Sequence, residues 1–121
     1  MPLILVVDDS PTEVFVIRRA LEQHGYQTAA AADGDEGFRL AKSMKPDLIF
    51  MDIVMPGVNG FQATRQLARD PETRGIPVVM VTSKSQDTDR IWGMRQGAVD
   101  YLVKPVSPQQ LVEKAQAVLS H

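Results

Sequence analysis

Three stretches of the chain carry only apolar side chains: Leu3-Ile4-Leu5-Val6-Val7, Leu48-Ile49-Phe50-Met51 and Pro77-Val78-Val79-Met80-Val81. Short unbroken runs of this kind predict strands covered on both faces. Gln27 to Ala31 is a weaker strand, mostly alanine, expected at a sheet edge, and Val99 to Val103 is the last. Between them the apolar positions recur at helical spacing. Ser10 suits a helix N-cap, Pro11 the first helical position, and Glu13 the closing partner of a capping box. Val14, Ile17 and Leu21 form that helix's inner side, and His24-Gly25 ends it. Residues 34–45 predict a second helix with Gly37, Phe38, Ala41 and Met44 inward, stopped at Lys45-Pro46. Residues 61–69 predict a third, with Ala63, Thr64, Leu67 and Ala68 as its small, partly apolar face, before a polar turn over 70–76. A fourth runs over about 86–96, capped by Ser85 and closed by Gly97. Ser107-Pro108-Gln109-Gln110 is a capping box for the last helix, whose stripe is Leu111, Ala115, Val118 and Leu119.

Strand and helix alternate five times, which predicts an α/β fold with a doubly wound parallel sheet between helices. The 121 residues suffice for one domain with a real core, and no second domain is expected to carry an output. Hydrophobic and charged fractions of 44% and 23% suit a soluble globular protein. A net charge of -2 gives no reason to expect nucleic acid or an anionic membrane as partner. The absence of cysteine excludes disulfides and thiolate metal sites and fits a reducing, cytoplasmic compartment. No apolar run approaches the roughly 18 residues of a membrane span. A strand follows Met1-Pro2 directly, so no signal peptide is expected.

In such sheets ligands bind beyond the carboxyl ends of the strands. Asp8, Asp9, Asp52, Thr82 and Lys104 all fall there, so five polar groups from four strands are expected on one edge. Three carboxylates in one place repel each other and call for a counter-charge. Mg2+, a hard cation that prefers carboxylate and water ligands, fits. Asp9 and Asp52 are expected to bind it directly, Asp8 through a water, and the Val54 carbonyl to add an oxygen. A carboxylate oxygen of Asp52 can then attack phosphorus to form an acyl phosphate. Lys104 would neutralise a phosphoryl oxygen, Thr82 would donate a hydroxyl, and the small Ser83 would leave access. His24 and His121 lie away from these loops, so a phosphohistidine donor must be another protein. Blander roles exist for each residue. Asp8 and Asp9 could serve a helix dipole, Asp52 a turn, Thr82 an ordinary strand end, and Lys104-Pro105 an ordinary loop. Tyr101 could be simply a strand aromatic. Trp92 lies about 100° around its helix from Ile91, off the stripe shared by Ile91 and Met94. It either folds back on a neighbouring helix or belongs to a partner surface.

The set Asp8-Asp9, Asp52, Thr82, Tyr101 and Lys104-Pro105 resembles the receiver domain of two-component response regulators, across the whole chain. That resemblance implies a flavodoxin-like fold of the CheY kind, with strand order 2-1-3-4-5 and five helices. It implies phosphorylation of Asp52 by a histidine kinase with Mg2+, and a cis Lys104–Pro105 bond. Thr82 would move toward the phosphoryl group and Tyr101 would rotate into the vacated space. Arg90, Met94, Tyr101, Trp92 and the last helix would frame the docking face for a downstream protein, the regulator itself being a monomer. The chain is similar to stand-alone CheY-like regulators. Asp9-Ser10-Pro11-Thr12-Glu13, Asn59-Gly60-Phe61-Gln62-Ala63-Thr64-Arg65 and Ile91-Trp92-Gly93-Met94-Arg95-Gln96-Gly97-Ala98 look closest to the PilH type. That type serves chemotaxis-like pathways controlling type IV pili and twitching motility. Val54 and Lys84 stand where they could tune dephosphorylation. Two other roles remain open: a phosphate sink for a shared kinase, and a phosphohydrolase with an aspartate nucleophile. The second usually needs another aspartate two residues after the nucleophile, where this chain has Val54, and a cap over the pocket. A flavin site is excluded by Asp8-Asp9 standing where a phosphate-cradling loop would be.

Overall fold

The computed structural model describes residues 1–55, 57–83 and 87–120, and for 87–89 the helical backbone only. The capping role of Ser85, the start of its helix at Gln86, the tuning role of Lys84 and the position of His121 lie outside the described residues. Ten elements alternate: β1 (Leu3–Val7), α1 (Pro11–Glu22), β2 (Gln27–Ala31), α2 (Gly34–Met44), β3 (Leu48–Asp52), α3 (Gly60–Arg69), β4 (Val78–Thr82), α4 (Asp87–Gln96), β5 (Asp100–Val103) and α5 (Pro108–Leu119). The strands form one parallel sheet in the order β2-β1-β3-β4-β5. The alanine-rich β2 is at an edge, where fewer side chains need to be covered.

Successive side chains of a strand point to opposite faces, and the core divides accordingly. Leu5, Val7, Ile49, Met51, Val78 and Met80 face one layer, packed with Ala41, Ala63 and Leu67 of α2 and α3. Ile4, Val6, Leu48, Phe50, Val79 and Val81 face the other, packed with Ile17, Leu21, Leu111 and Ala115 of α1 and α5. Every residue of β3 and β4 is buried, as the unbroken apolar runs predict.

The helix ends show the chemistry that set them. Asn59 and Gln62 close a capping box at α3, and Ser107 and Gln110 close one at α5. At α1 the Ser10 side chain accepts from the Glu13 N–H, at 3.4 Å, but the return bond is missing. The Ser10 N–H donates instead to Asp8 Oδ1 at 2.9 Å, which leaves the Glu13 carboxylate to another partner. Lys45 ends α2 in the left-handed conformation, φ 52°.

Two expectations about inward faces are corrected. Met44, in the last turn of α2, is exposed, and Phe38 and Leu40 are the partly buried hydrophobics of that helix. Ala68 is exposed, the buried face of α3 being Gly60, Ala63, Thr64 and Leu67. On α4 Ile91 and Met94 are exposed, and Gly93 is buried, where an added Cβ would lie 3.3 Å from Met80 and 3.5 Å from Phe61.

Candidate active site

The parallel sheet brings the tips of β1, β3, β4 and β5 to one edge. Asp8 follows β1, with its N–H bonded to the Ala31 carbonyl at 3.0 Å, so the β1–β2 ladder extends one residue to hold it. Asp52 is the last residue of β3 and pairs in register with Val81. Thr82 ends β4, and its carbonyl accepts from the Lys104 N–H at 2.7 Å, which fixes Lys104 just past β5. The Lys104–Pro105 peptide is cis. The loop after Asp52 is pinned by Gly60, whose N–H donates to Ile53 O at 2.9 Å. A Cβ at Gly60 would lie 2.1 Å from the Asp52 carbonyl oxygen, so only glycine lets α3 approach that closely.

At this edge the Lys104 ammonium meets three carboxylates. Nζ lies 3.1 Å from Asp8 Oδ2 and 3.3 Å from Asp52 Oδ1, and it also bonds the Glu13 carboxylate. Asp8 and Asp52 are buried, at 3% and 7% exposure, while Asp9 faces solvent. One carboxylate oxygen from each of Asp8, Asp9 and Asp52 lies within 4.8 Å of the others. Burial, then the charge of Asp8, raises Asp52 to about 6, against the pull of Lys104. Burial also raises Asp8, against bonds from the Ser10 N–H and Lys104. The Lys104 bond holds Glu13 below its ordinary range despite some desolvation. Burial works against the charge on Lys104, but Glu13, Asp52 and Asp8 together hold it well above the usual lysine range.

These shifts test the fit of a cation. Two buried carboxylates are held against their preference for protons, and a third stands beside them at the solvent side. All their oxygens are hard donors, and one ammonium is the counter-charge among the described residues. A second, divalent charge would relieve the remaining repulsion, and the oxygen set suits a hard ion.

The structure brings together Asp8, Asp9, Asp52 and Lys104, and places Thr82 fully buried at the neighbouring strand tip. Tyr101 is half-buried on β5, against the layer of Met51 and Met80. Val54 lies two residues beyond Asp52 with its side chain exposed, and Ser83 is also exposed. Arg90, Met94 and Trp92 are exposed on α4. Glu13 is the residue that sequence reasoning missed, having assigned it to a capping box. Its signal was its place in the first turn of α1, directly after the acidic pair.

The response regulator receiver domain family matches residues 4–116, and this chain belongs to it. Over 120 residues it is 56% identical to protein PilH of Pseudomonas aeruginosa, covering 99% of both chains. It is 40% identical to the DNA-binding regulator RpaA of Synechocystis, of which it covers 49%. Among solved structures it is similar to chemotaxis protein CheY4 of Vibrio cholerae, with TM-score 0.94, 31% identity and coverage of 98% and 99% of the two chains. The receiver domain of a Pseudomonas aeruginosa sensor histidine kinase, described with a magnesium ion coordinated in its active-site cleft, matches with TM-score 0.92 and 31% identity. That match covers 99% and 98% of the two chains.

Proposed function

We propose that this receiver domain is a phosphorylation-dependent switch in which Asp52 accepts a phosphoryl group from a histidine kinase. The observation that carries the reading is the Lys104 ammonium lying 3.1 Å and 3.3 Å from the carboxylates of Asp8 and Asp52 at the strand tips. An oxygen of Asp52 attacks phosphorus and forms the acyl phosphate O–P bond. The P–N bond to the donor imidazole breaks, its electron pair returning to that nitrogen. Lys104 already bonds the Asp52 oxygen and takes charge from the phosphoryl group. Mg2+ would be held by Asp9, Asp52 and the Val54 carbonyl, with Asp8 acting through a water. When bound, it neutralises charge on the phosphoryl oxygens.

Thr82 and Tyr101 would report the new charge to the β4–α4–β5 side, and a downstream protein would read it there. The chain changes itself and turns over no substrate. The 56% identity to PilH supports a place in a chemotaxis-like pathway controlling type IV pili and twitching motility, with kinase and regulator meeting in the cytoplasm. The test is intact mass after incubation with acetyl phosphate. Wild type should gain one phosphoryl group with Mg2+ and none with a chelator, and Asp52→Asn should gain none. Equal gain by both proteins would remove Asp52 from the reaction.

A further inference from the structure

A groove between α3 and α4, away from the acidic edge, carries three arginines and the chain's one tryptophan. Arg65 and Arg69 stand one turn apart on α3, facing Trp92 and Arg95, which are three residues apart on α4. All three arginines are exposed, and Trp92, 49% exposed and too open for a core residue, lines the same groove. Like charges four residues apart on a helix oppose each other. Among the described residues none of the three arginines has an ion pair, whereas Arg18, Lys42 and Lys114 each do. The chain past α4 comes close to α3 in this groove. A Cβ at Gly97 would come within 2.8 Å of the Ala68 Cβ, and Gly97 holds φ +117°, which glycine alone takes readily. A surface groove lined by an indole and three cations thus lies on a chain whose net charge is -2.

We propose that this groove docks an acidic protein segment bearing an apolar or aromatic residue, the acids on the arginine rim and the apolar side chain against Trp92. Charge complementarity selects the acids, and guanidinium forks suit carboxylates in pairs. The indole face and the small Ala68 and Gly97 select the apolar residue. None of the groove's residues belongs to the Asp52 site, so docking is tested on the unphosphorylated protein, and Trp92 is the residue the groove shares with the face expected to read phosphorylation.

The probe is an end-blocked peptide of glutamates around one central phenylalanine, titrated while Trp92 emission is followed. Trp92 is the only tryptophan, so the signal comes from the groove itself. The expected result is a saturable change that weakens about tenfold or more in Arg69→Glu and in Arg95→Glu, and weakens with added salt. Arg74→Glu, the same charge change on an exposed residue outside the groove, should leave the affinity within about twofold. Replacing the phenylalanine by glutamate should weaken binding severalfold. Circular dichroism melts confirm that each variant is folded. No emission change, equal weakening by Arg74→Glu, or tighter binding of an oligothymidylate than of the peptide would overturn the proposal.

Discussion

Asp52→Asn should make the metal-free protein more stable above about pH 6, although it removes a bond partner of Lys104. The carboxyl of Asp52 goes from 3.8 in the unfolded chain to about 6 in the folded one, through burial and the neighbouring Asp8. Between those values the folded chain holds a proton that the unfolded chain has released. Stability therefore falls as pH rises through that window, and the loss is complete above it. Two units at about 1.4 kcal/mol each make the cost of ionised Asp52 about 3 kcal/mol. Asparagine keeps the shape and one accepting oxygen but never carries the charge. It should recover most of that at about pH 8, on the order of 10 °C in Tm for a chain of this size. Below about pH 4 both forms of the site are neutral and the two proteins should converge. Asp8 and Glu13 titrate in both proteins, so the difference reports the Asp52 charge together with its repulsion of Asp8. Urea melts in chelator at about pH 4.5 and about pH 8 measure it. An equal difference at both pH values, or a variant less stable at the higher one, would refute the electrostatic account of this pocket.

Lys104→Met should destabilise the metal-free protein by about 3 kcal/mol at about pH 8, because it strands two buried carboxylates, and by less at about pH 5, where they take up protons. Urea melts at the two pH values check the ordering. Gly60→Ala should cost about 1–3 kcal/mol and slow phosphorylation by acetyl phosphate, since its Cβ forces the Asp52 carbonyl to move. A melt and a time course on the same sample test both effects. Millimolar Mg2+ should raise the Tm of wild type and leave Asp9→Ala nearly unmoved, by the mass action of a cation bound to the folded state alone. Equal shifts in both proteins would place the cation elsewhere.

The order of elements and the site edge were legible in the sequence because each rests on a local pattern with one physical reading. Leu3 to Val7, Leu48 to Met51 and Val78 to Val81 are too apolar to be anything but strands covered on both faces. A polar residue just after such a run must sit at the sheet's edge, which located Asp8, Asp52, Thr82 and Lys104. The 2-1-3-4-5 order was not in the pattern and came from the family resemblance. What stayed hidden depends on distances between elements. Glu13 has two reachable partners, its own helix cap and a lysine 91 positions away, and only the folded chain shows that Lys104 wins. Met44 sits at inward-looking spacing, yet the folded chain leaves it exposed. The three arginines of the α3–α4 groove come from helices adjacent only in space.

Of the three clustered carboxylates, Asp52 is the one proposed to carry the phosphoryl group. Borohydride reduction of the phosphorylated protein followed by peptide mapping tests it directly, since an aspartyl phosphate is reduced to homoserine while a free carboxylate is untouched. Homoserine is expected at position 52, with Asp8 and Asp9 intact and no label on Thr82 or Ser83. Homoserine at position 8 or 9, or a stable phosphate on a hydroxyl, would contradict it.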